Sequence, residues 1–174
     1  MAHLSAYKFC SVCAGNLREK NGHLACAKCP FVNYQNPRPT VSGLIMHGDK
    51  ILFTRRGRDP YKGWWDFPGG FMDWGEHPEE TLRREIKEET GLDIAVKRIV
   101  GIYPGYYPAK FDPVHILSIA YYAVAKTDKV VPADDAEEGR WFPLTKLPKK
   151  IAFNNHARIL SDFKKVLWSA PDIA

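Results

Sequence analysis

The sequence predicts a mixed α/β domain preceded by a small cysteine-bearing ribbon, and three observations carry that reading. All four cysteines of the 174-residue chain lie within its first 29 residues, as two Cys-x2-Cys pairs. Further along, runs rich in Val, Ile and Tyr alternate with two helical patterns, as interleaved strands and helices do. With 45% hydrophobic and 13% aromatic residues, the chain has the material for a core. Its length suits one ordinary domain with an appendage. The expected division is residues 1–36 and 37–174.

In the first segment, Cys10-x2-Cys13 is separated by twelve residues from Cys26-x2-Cys29. Two such knuckles bring four thiolates to one tetrahedral point, as structural Zn2+ requires. Gly15, Asn21-Gly22 and Pro30 supply the turns of a small ribbon. Two disulfides, disfavoured in a cytosolic chain, and a rubredoxin-like iron site are the alternatives. Four protein ligands leave no position open for substrate, so the metal's expected role is structural.

Composition also excludes. No apolar run is long enough to span a bilayer, and Met1–Phe9 lacks the basic and apolar regions of a secretory signal. A cytoplasmic protein without a membrane partner is expected. The net charge of +5 suits anionic partners, but scattered lysines give the same figure, and no Lys/Arg block exceeds two residues.

Asn33–Pro39 is a polar, proline-bearing connector. Thr40–Met46 and Lys50–Arg56 read as strands joined through His47-Gly48-Asp49, followed by a loop over Arg58–Gly63. Pro78–Thr90 reads as a helix, with proline at its first position and Gly91 just past its end. Ile94–Tyr103 and His115–Ala125 read as strands. Between them lies an aromatic loop, Tyr103–Pro108, with Phe111 and His115. Asp134–Glu138 reads as an acidic loop. Asn154 is expected to cap a last helix whose apolar stripe is Ile159, Leu160, Phe163, Val166 and Leu167.

The helix over 78–90 is built against its own stability. It carries eight charges in thirteen positions, with Leu82 and Ile86 as its large apolar residues. Glu85, Glu88 and Glu89, spaced i, i+3, i+4, share a face. Like charges so placed repel by a few tenths of a kcal/mol per pair. Glu88 and Glu89 also lie at the negative end of the helix dipole. A divalent cation among their oxygens removes both penalties, and hard oxygen ligands suit Mg2+ or Mn2+. A solvated face laced by Glu79–Arg83 and Glu80–Arg84 pairs is the alternative. Upstream, Pro68-Gly69-Gly70 makes a tight turn whose backbone can approach a ligand.

Gly70, five residues, Glu76, seven residues, then Arg84-Glu85-Ile86-Lys87-Glu88-Glu89-Thr90-Gly91-Leu92 resembles the complete 23-residue Nudix box without a departure. Trp65 ahead of Pro68, Trp141-Phe142-Pro143-Leu144 and Leu147-Pro148 resemble that family's flanking elements. The likeness runs from Pro37 to the end of the chain. It implies a sheet sandwiched between helices, and hydrolysis of a nucleoside diphosphate linked to another group. By resemblance, Glu85, Glu88 and Glu89 are metal ligands, and Arg84 orients them through Glu76. Gly70 ligates through its carbonyl or simply permits the turn. The general base comes from the box, as Glu89, or from the later acidic segment, as Glu137 or Glu138.

Of Arg55 and Arg56, strand alternation turns one inward, where it can clamp a phosphate. Tyr106 and Tyr107 are candidates to stack on a base, one of them facing the cleft. Phe153 and His156 read equally as core or pocket. A ribbon ahead of such a domain resembles NADH pyrophosphatases, yet their SQPWPFPxS element is replaced by Gly101-Ile-Tyr-Pro-Gly-Tyr-Tyr-Pro-Ala-Lys-Phe. Pro108, sixteen residues past the box, resembles ADP-ribose pyrophosphatases. Removal of damaged nucleoside triphosphates and a non-catalytic nucleotide- or RNA-binding sensor are the other readings. Contact of the ribbon with RNA and a homodimer are left open.

Overall fold

The structure, a computed structural model, describes residues 7–110 and 113–168, so Phe111 lies outside the described residues. The chain divides into two compact units, Met1–Asn36 and Pro37–Ala174.

The first unit is a three-stranded antiparallel sheet of β1 (Leu17–Lys20), β2 (His23–Cys26) and β3 (Val32–Asn33) in that order. Lys20 pairs with His23 across Asn21-Gly22, both of which have positive φ (54° and 78°). A two-residue turn whose twist matches its strands needs that backbone, and Asn-Gly adopts it at low cost. The Cys-x2-Cys segments flank this sheet.

The second unit is built on a six-stranded mixed sheet. Its strands are β4 (Arg38–His47), β5 (Lys50–Arg56), β6 (Trp65–Asp66), β7 (Ile94–Tyr107), β8 (Val114–Ala125) and β9 (Ala136–Pro143). The order is β6-β5-β4-β8-β7, with β9 on β5. Central β4 runs parallel to β8 over nine residue pairs and is buried almost throughout, as a strand covered on both faces must be. Alternate side chains feed two separate cores. Leu44, Met46, Phe53 and Tyr122 pack with Ile159, Leu160 and Phe163 of α2 (His156–Trp168). Val41, Ile45, Leu52 and Tyr121 pack with Leu82 and Ile86 of α1 (Pro78–Thr90). The result is a helix–sheet–helix sandwich. No helix among the described residues is long and apolar enough to cross a membrane.

The regularity of the sheet breaks beside its first hairpin. β4 and β5 pair only next to their turn, at Met46–Ile51 and His47–Lys50, and then separate. The segment from Trp65 to Met72 fills the opening. On one side Thr54 and Arg55 of β5 pair with Asp66 and Trp65. On the other, the amides of Val41 and Gly43 donate to the carbonyls of Gly70 (2.9 Å) and Pro68 (2.8 Å). Unpaired strand edges inside a core are costly, and the inserted loop satisfies them.

Several expectations need correction. Tyr103–Tyr107 is not a loop, because β7 continues to Tyr107 in register with Val114 of β8. Tyr103 is buried in the core and donates a hydrogen bond to Asp162 of α2 (3.2 Å). The acidic stretch over 134–138 is loop only at its start, since Ala136 opens β9. Its pairing with β5 gives polar residues a strand role that periodicity could not reveal. The last helix begins at His156, with Asn155 supplying the carbonyl to Ile159, so the chain enters it one residue beyond Asn154.

Phe163, fully buried, ties α2 to the sheet. Phe163→Ala should cost about 3–5 kcal/mol in urea unfolding of the full chain. A loss below about 1 kcal/mol would show that α2 is not anchored there.

Candidate active site

The N-cap of α1 is His77, whose side chain accepts from the amide of Glu79 while Glu80 reaches back to the amide of His77 (3.0 Å). Pro78 opens the helix, and Gly91 at φ 70° closes it with a hydrogen bond to the Lys87 carbonyl. The expected Glu80–Arg84 pair is absent, because the cap occupies Glu80. The Glu79–Arg83 pair forms at 3.5 Å.

The helix separates its three clustered glutamates by environment. Glu89 falls seven residues after Leu82 and three after Ile86, on the buried stripe, and is 7% exposed. Glu85 is half-buried and Glu88 exposed. Arg84 is the hub. Its Nε and Nη2 donate to the two oxygens of Glu76 (2.9 Å each), and its Nη1 to Glu85 (2.8 Å) and Glu88 (3.2 Å). Nη2 also reaches the Phe71 carbonyl at 3.3 Å. The Arg84 guanidinium, with Thr81 Oγ1 at 2.7 Å, holds the Glu76 carboxyl down to about 2.

Glu89 has no such partner. Its Oε2 accepts from the amide of Gly69 (3.3 Å), and among the described residues no Lys or Arg pairs with it. Burial, and then the charges of Asp135, Asp66 and Glu85, push its carboxyl well above the usual range. Burial raises Glu85 too, despite Arg84. Glycine is required at position 69 of this loop, whereas at position 70 the close neighbour is the flexible Glu85 carboxylate. Gly69 has φ 144°, and a Cβ there would collide with the Val41 carbonyl. A Cβ on Gly70 would lie 2.5 Å from Glu85 Oε1.

Two adjoining spaces meet at this loop and share Arg56, Asp66, Phe67 and Gly69. A polar crevice of about 280 Å3 holds Thr54, Arg55, Glu89 and Asp135. An aromatic cleft of about 440 Å3 holds Phe71, Tyr107, Phe153 and Asn155. Tyr107 lies parallel to Phe153 (5.7 Å) and edge-on to Phe71 (5.5 Å). Tyr106, its strand neighbour, points the other way toward His115 and is 45% exposed. Asn155 Oδ1 is buried in the cleft wall without a hydrogen-bond partner.

Arg56 is the arginine that turns inward. Its Nε donates to the Pro60 carbonyl (2.7 Å), Nη1 to Asp66 (2.8 Å) and Nη2 to Tyr107 Oη (3.4 Å), with the guanidinium over the Phe153 ring. Burial opposes its charge, but Asp66 more than offsets this and raises the group. His156 Nε2 lies 3.5 Å from the other oxygen of Asp66, and burial lowers its imidazole, which favours the neutral form. Arg55 pairs with Glu138 (3.3 Å) and Glu137 (3.8 Å). Glu138 also pairs with Arg140 and lines neither space. Sequence reasoning thus missed Asp66, and it left Asp135 in an acidic loop without a role. Asp66 sits in a two-residue strand whose partner, Arg56, only the fold reveals.

Two metal sites can be tested against these donors. The four cysteine sulfurs lie within 4.8 Å of one another, with Cys10–Cys29 at 3.7 Å and Cys13–Cys26 at 3.6 Å. A tetrahedron of zinc–sulfur bonds of about 2.3 Å has edges of about 3.8 Å. The amides of Val12 and Lys28 donate to Cys10 and Cys26 (3.3 Å each), as thiolates require. The donors fit zinc. The oxygens of α1 are not drawn so close, because Arg84 holds Glu85 and Glu88. A buried carboxylate without a cation, beside two further acids, nonetheless fits a divalent ion.

The NUDIX domain profile matches residues 36–163. The chain is 39% identical over 132 residues to the ADP-ribose pyrophosphatase of Methanocaldococcus jannaschii, covering 76% of each. It is 28% identical over 158 residues to the NAD-capped RNA hydrolase NudC of Pseudomonas aeruginosa, covering 89% of this chain and 54% of that one. It therefore spans about half the length of the latter. Its fold is similar to the crystal structure of a NUDIX hydrolase from Nitrosomonas europaea, with a TM-score of 0.79, 26% identity and 97% of both chains covered.

Because burial raises Glu89 and Glu85, protons compete with a cation there at a pH above the ordinary carboxylate range, about 4.3. Mg2+ should therefore raise the Tm of the metal-free second unit at pH 8, and the increment should shrink as pH falls toward 5. A Tm increment that is constant over that range, or absent, would show that these carboxylates do not take the ion.

Proposed function

The chain belongs to the NUDIX family and is a pyrophosphohydrolase of it, and on that premise we propose that it cleaves ADP-ribose, or a closely related adenine diphosphate conjugate, at the diphosphate. The observation that carries the substrate class is the pairing of an aromatic cleft with a carboxylate crevice through one shared arginine. A nucleoside suits the cleft, which is lined by aromatic and apolar side chains with a few polar groups, as small-molecule sites usually are. Tyr107 and Phe153 offer faces for a base, and the Asn155 oxygen offers an acceptor to its exocyclic amino group. The diphosphate then lies over Gly69 and Glu89.

Glu85, Glu88 and Glu89 would hold Mg2+ or Mn2+, with the Gly70 carbonyl beside them. Such an ion neutralises diphosphate oxygens and acidifies water. Arg84, bound to Glu76, fixes where the Glu85 and Glu88 carboxylates stand, and from there a bound ion would draw them. Arg56 orients the substrate from the junction of the two spaces. For the general base, Glu89 is favoured over Glu138, which is committed to Arg55 and Arg140. With Oε2 on the Gly69 amide, Glu89 has Oε1 for the proton of the attacking water. Water adds to phosphorus, the bridging P–O bond breaks, and two monophosphates leave. A reducing, cytosolic location accords with four cysteines kept as Cys10, Cys13, Cys26 and Cys29 ligands of one structural Zn2+.

A panel of ADP-ribose, NADH, dATP and 8-oxo-dGTP with Mg2+ tests the substrate, and the highest kcat/KM is expected for ADP-ribose. A triphosphate preferred over it would overturn the assignment. Glu88→Gln should lower kcat by orders of magnitude with the fold intact. Tyr107→Ala should raise KM by about 5- to 150-fold, the worth of one stacked base, and Tyr106→Ala should leave KM unchanged.

The ribbon should contain one zinc per chain by elemental analysis. Cys26→Ser should lose it and loosen the first unit, while hydrolysis falls little. Iron at one equivalent, or no metal, would refute this.

A further inference from the structure

The first unit has a second face that its cysteines do not use. In an antiparallel sheet, residues opposite one another point to the same side, and neighbours along a strand to opposite sides. Leu17, Glu19, Leu24 and Cys26 therefore share the side of the cysteine cluster. Arg18 and Lys20 take the other side, Lys20 opposite His23. The His23 ring meets Tyr34 at 4.8 Å, which extends that row across the sheet. At the opposite corner, the bridge between Phe9 and Asn16 adds Phe9 to this face.

The face is exposed and chemically one-sided. Phe9 is 65% and Tyr34 61% exposed, too open for either ring to serve a core. Arg18, Lys20 and His23 are exposed between them, and neither Arg18 nor Lys20 forms an ion pair among the described residues. The single acidic residue of the first 36, Glu19, points to the other side. The two rings stand roughly 14 Å apart along the strands and roughly 14 Å across them.

We propose that the Phe9–Arg18–Lys20–His23–Tyr34 face of the ribbon binds single-stranded RNA. Rings at two corners with cations between them match a polyanion whose bases are unpaired, since bases stack on rings while phosphates meet the cations. A duplex offers its phosphates but no base faces. An acidic peptide satisfies the cations but leaves Phe9 and Tyr34 without purpose. The amide of Asn16, the His23 imidazole and the Tyr34 hydroxyl lie on the same face and can hydrogen-bond a 2′-hydroxyl, which selects RNA over DNA. This goes beyond the hydrolytic reading and does not depend on it, because no residue of the catalytic unit takes part.

The test is fluorescence anisotropy of the full chain with a labelled 12-nucleotide single-stranded RNA lacking a 5′ phosphate, without added divalent ion, across a salt series. Tyr34→Ala and Phe9→Ala should each weaken binding by about tenfold or more, while Tyr34→Phe, which keeps the ring, should bind like the parent. Arg18→Gln with Lys20→Gln should flatten the slope of log K against log salt by about 1.4, the share of two phosphate contacts. In each variant the metal content and the hydrolysis of free ADP-ribose should equal the parent's. The proposal is overturned if the alanine variants bind as the parent does, if Tyr34→Phe loses as much as Tyr34→Ala, or if the salt slope does not change. It is equally overturned if duplex RNA, the all-deoxy strand or poly-glutamate binds as tightly as the single-stranded RNA.

Discussion

A carboxylate stands where the packing of α1 reserves a place for hydrocarbon, and the rest of the site is arranged around that misfit. Leu82 and Ile86 set the buried stripe, and Glu89 follows on it. An ionised carboxylate there costs several kcal/mol unless it is paired. Among the described residues, one amide, from Gly69, is all that its carboxylate receives. Asp66 and Asp135 add charge of the same sign, so the protein alone makes the position worse. A fold that concentrates negative charge in a buried crevice is stable with either protons or a cation in place. Burial and these neighbouring acids raise the Glu89 carboxyl, which favours the first of these states where no cation is bound. Arg84 works differently, for it hydrogen-bonds Glu76, Glu85 and Glu88, offsetting one of their three charges, but does not reach Glu89.

How the loop reaches the helix follows from strand geometry. β4 and β5 separate after two residue pairs, leaving the amides of Val41 and Gly43 without strand partners. The Pro68–Gly70 turn supplies the carbonyls, and only a residue without a Cβ fits between Val41 and that turn. The same turn aims the Gly69 amide at Glu89 and leaves room for Glu85 beside Gly70. Sheet completion and site construction are thus one event, and the glycines serve both.

This division explains what could be read without coordinates. Both helices, four of the strands and the turn at Gly48 follow local rules of spacing, capping and propensity. The glutamate set on α1 was legible because its spacing contradicts helix stability. Two kinds of feature were hidden. β9 is polar over Glu137–Arg140 and is a strand only because β5 pairs with it. Tyr103–Tyr107, rich in Pro and Gly, reads locally as loop, yet pairing with β8 keeps it extended. Tyr107, Phe153 and His156 were candidates for a pocket, but how they assemble into one cleft was hidden for the same reason. Tyr107, Phe153, Asn155 and Asp66 are brought together by long-range pairing, and no local pattern joins them.

The pairing of β5 with β9 also decides which acids are free to act. Arg55 lies opposite Glu138 in the register, and a cross-strand pair of opposite charge is worth about 0.2–1 kcal/mol. Glu137 also leans on Arg55, at 3.8 Å. These two carboxylates are therefore balanced where they stand. Asp135 precedes the strand, so it escapes that pairing and remains in the crevice with Glu89, even though Arg58 holds one of its oxygens at 2.7 Å. Arg56, one residue beyond Arg55, faces the opposite way by strand alternation and serves the cleft. A shift of one residue along β5 would carry Arg55 into the place of Arg56 and Arg56 out of the cleft. Glu137 and Glu138 would then lose their cation, so the polarity of the site depends on the pairing of two strands.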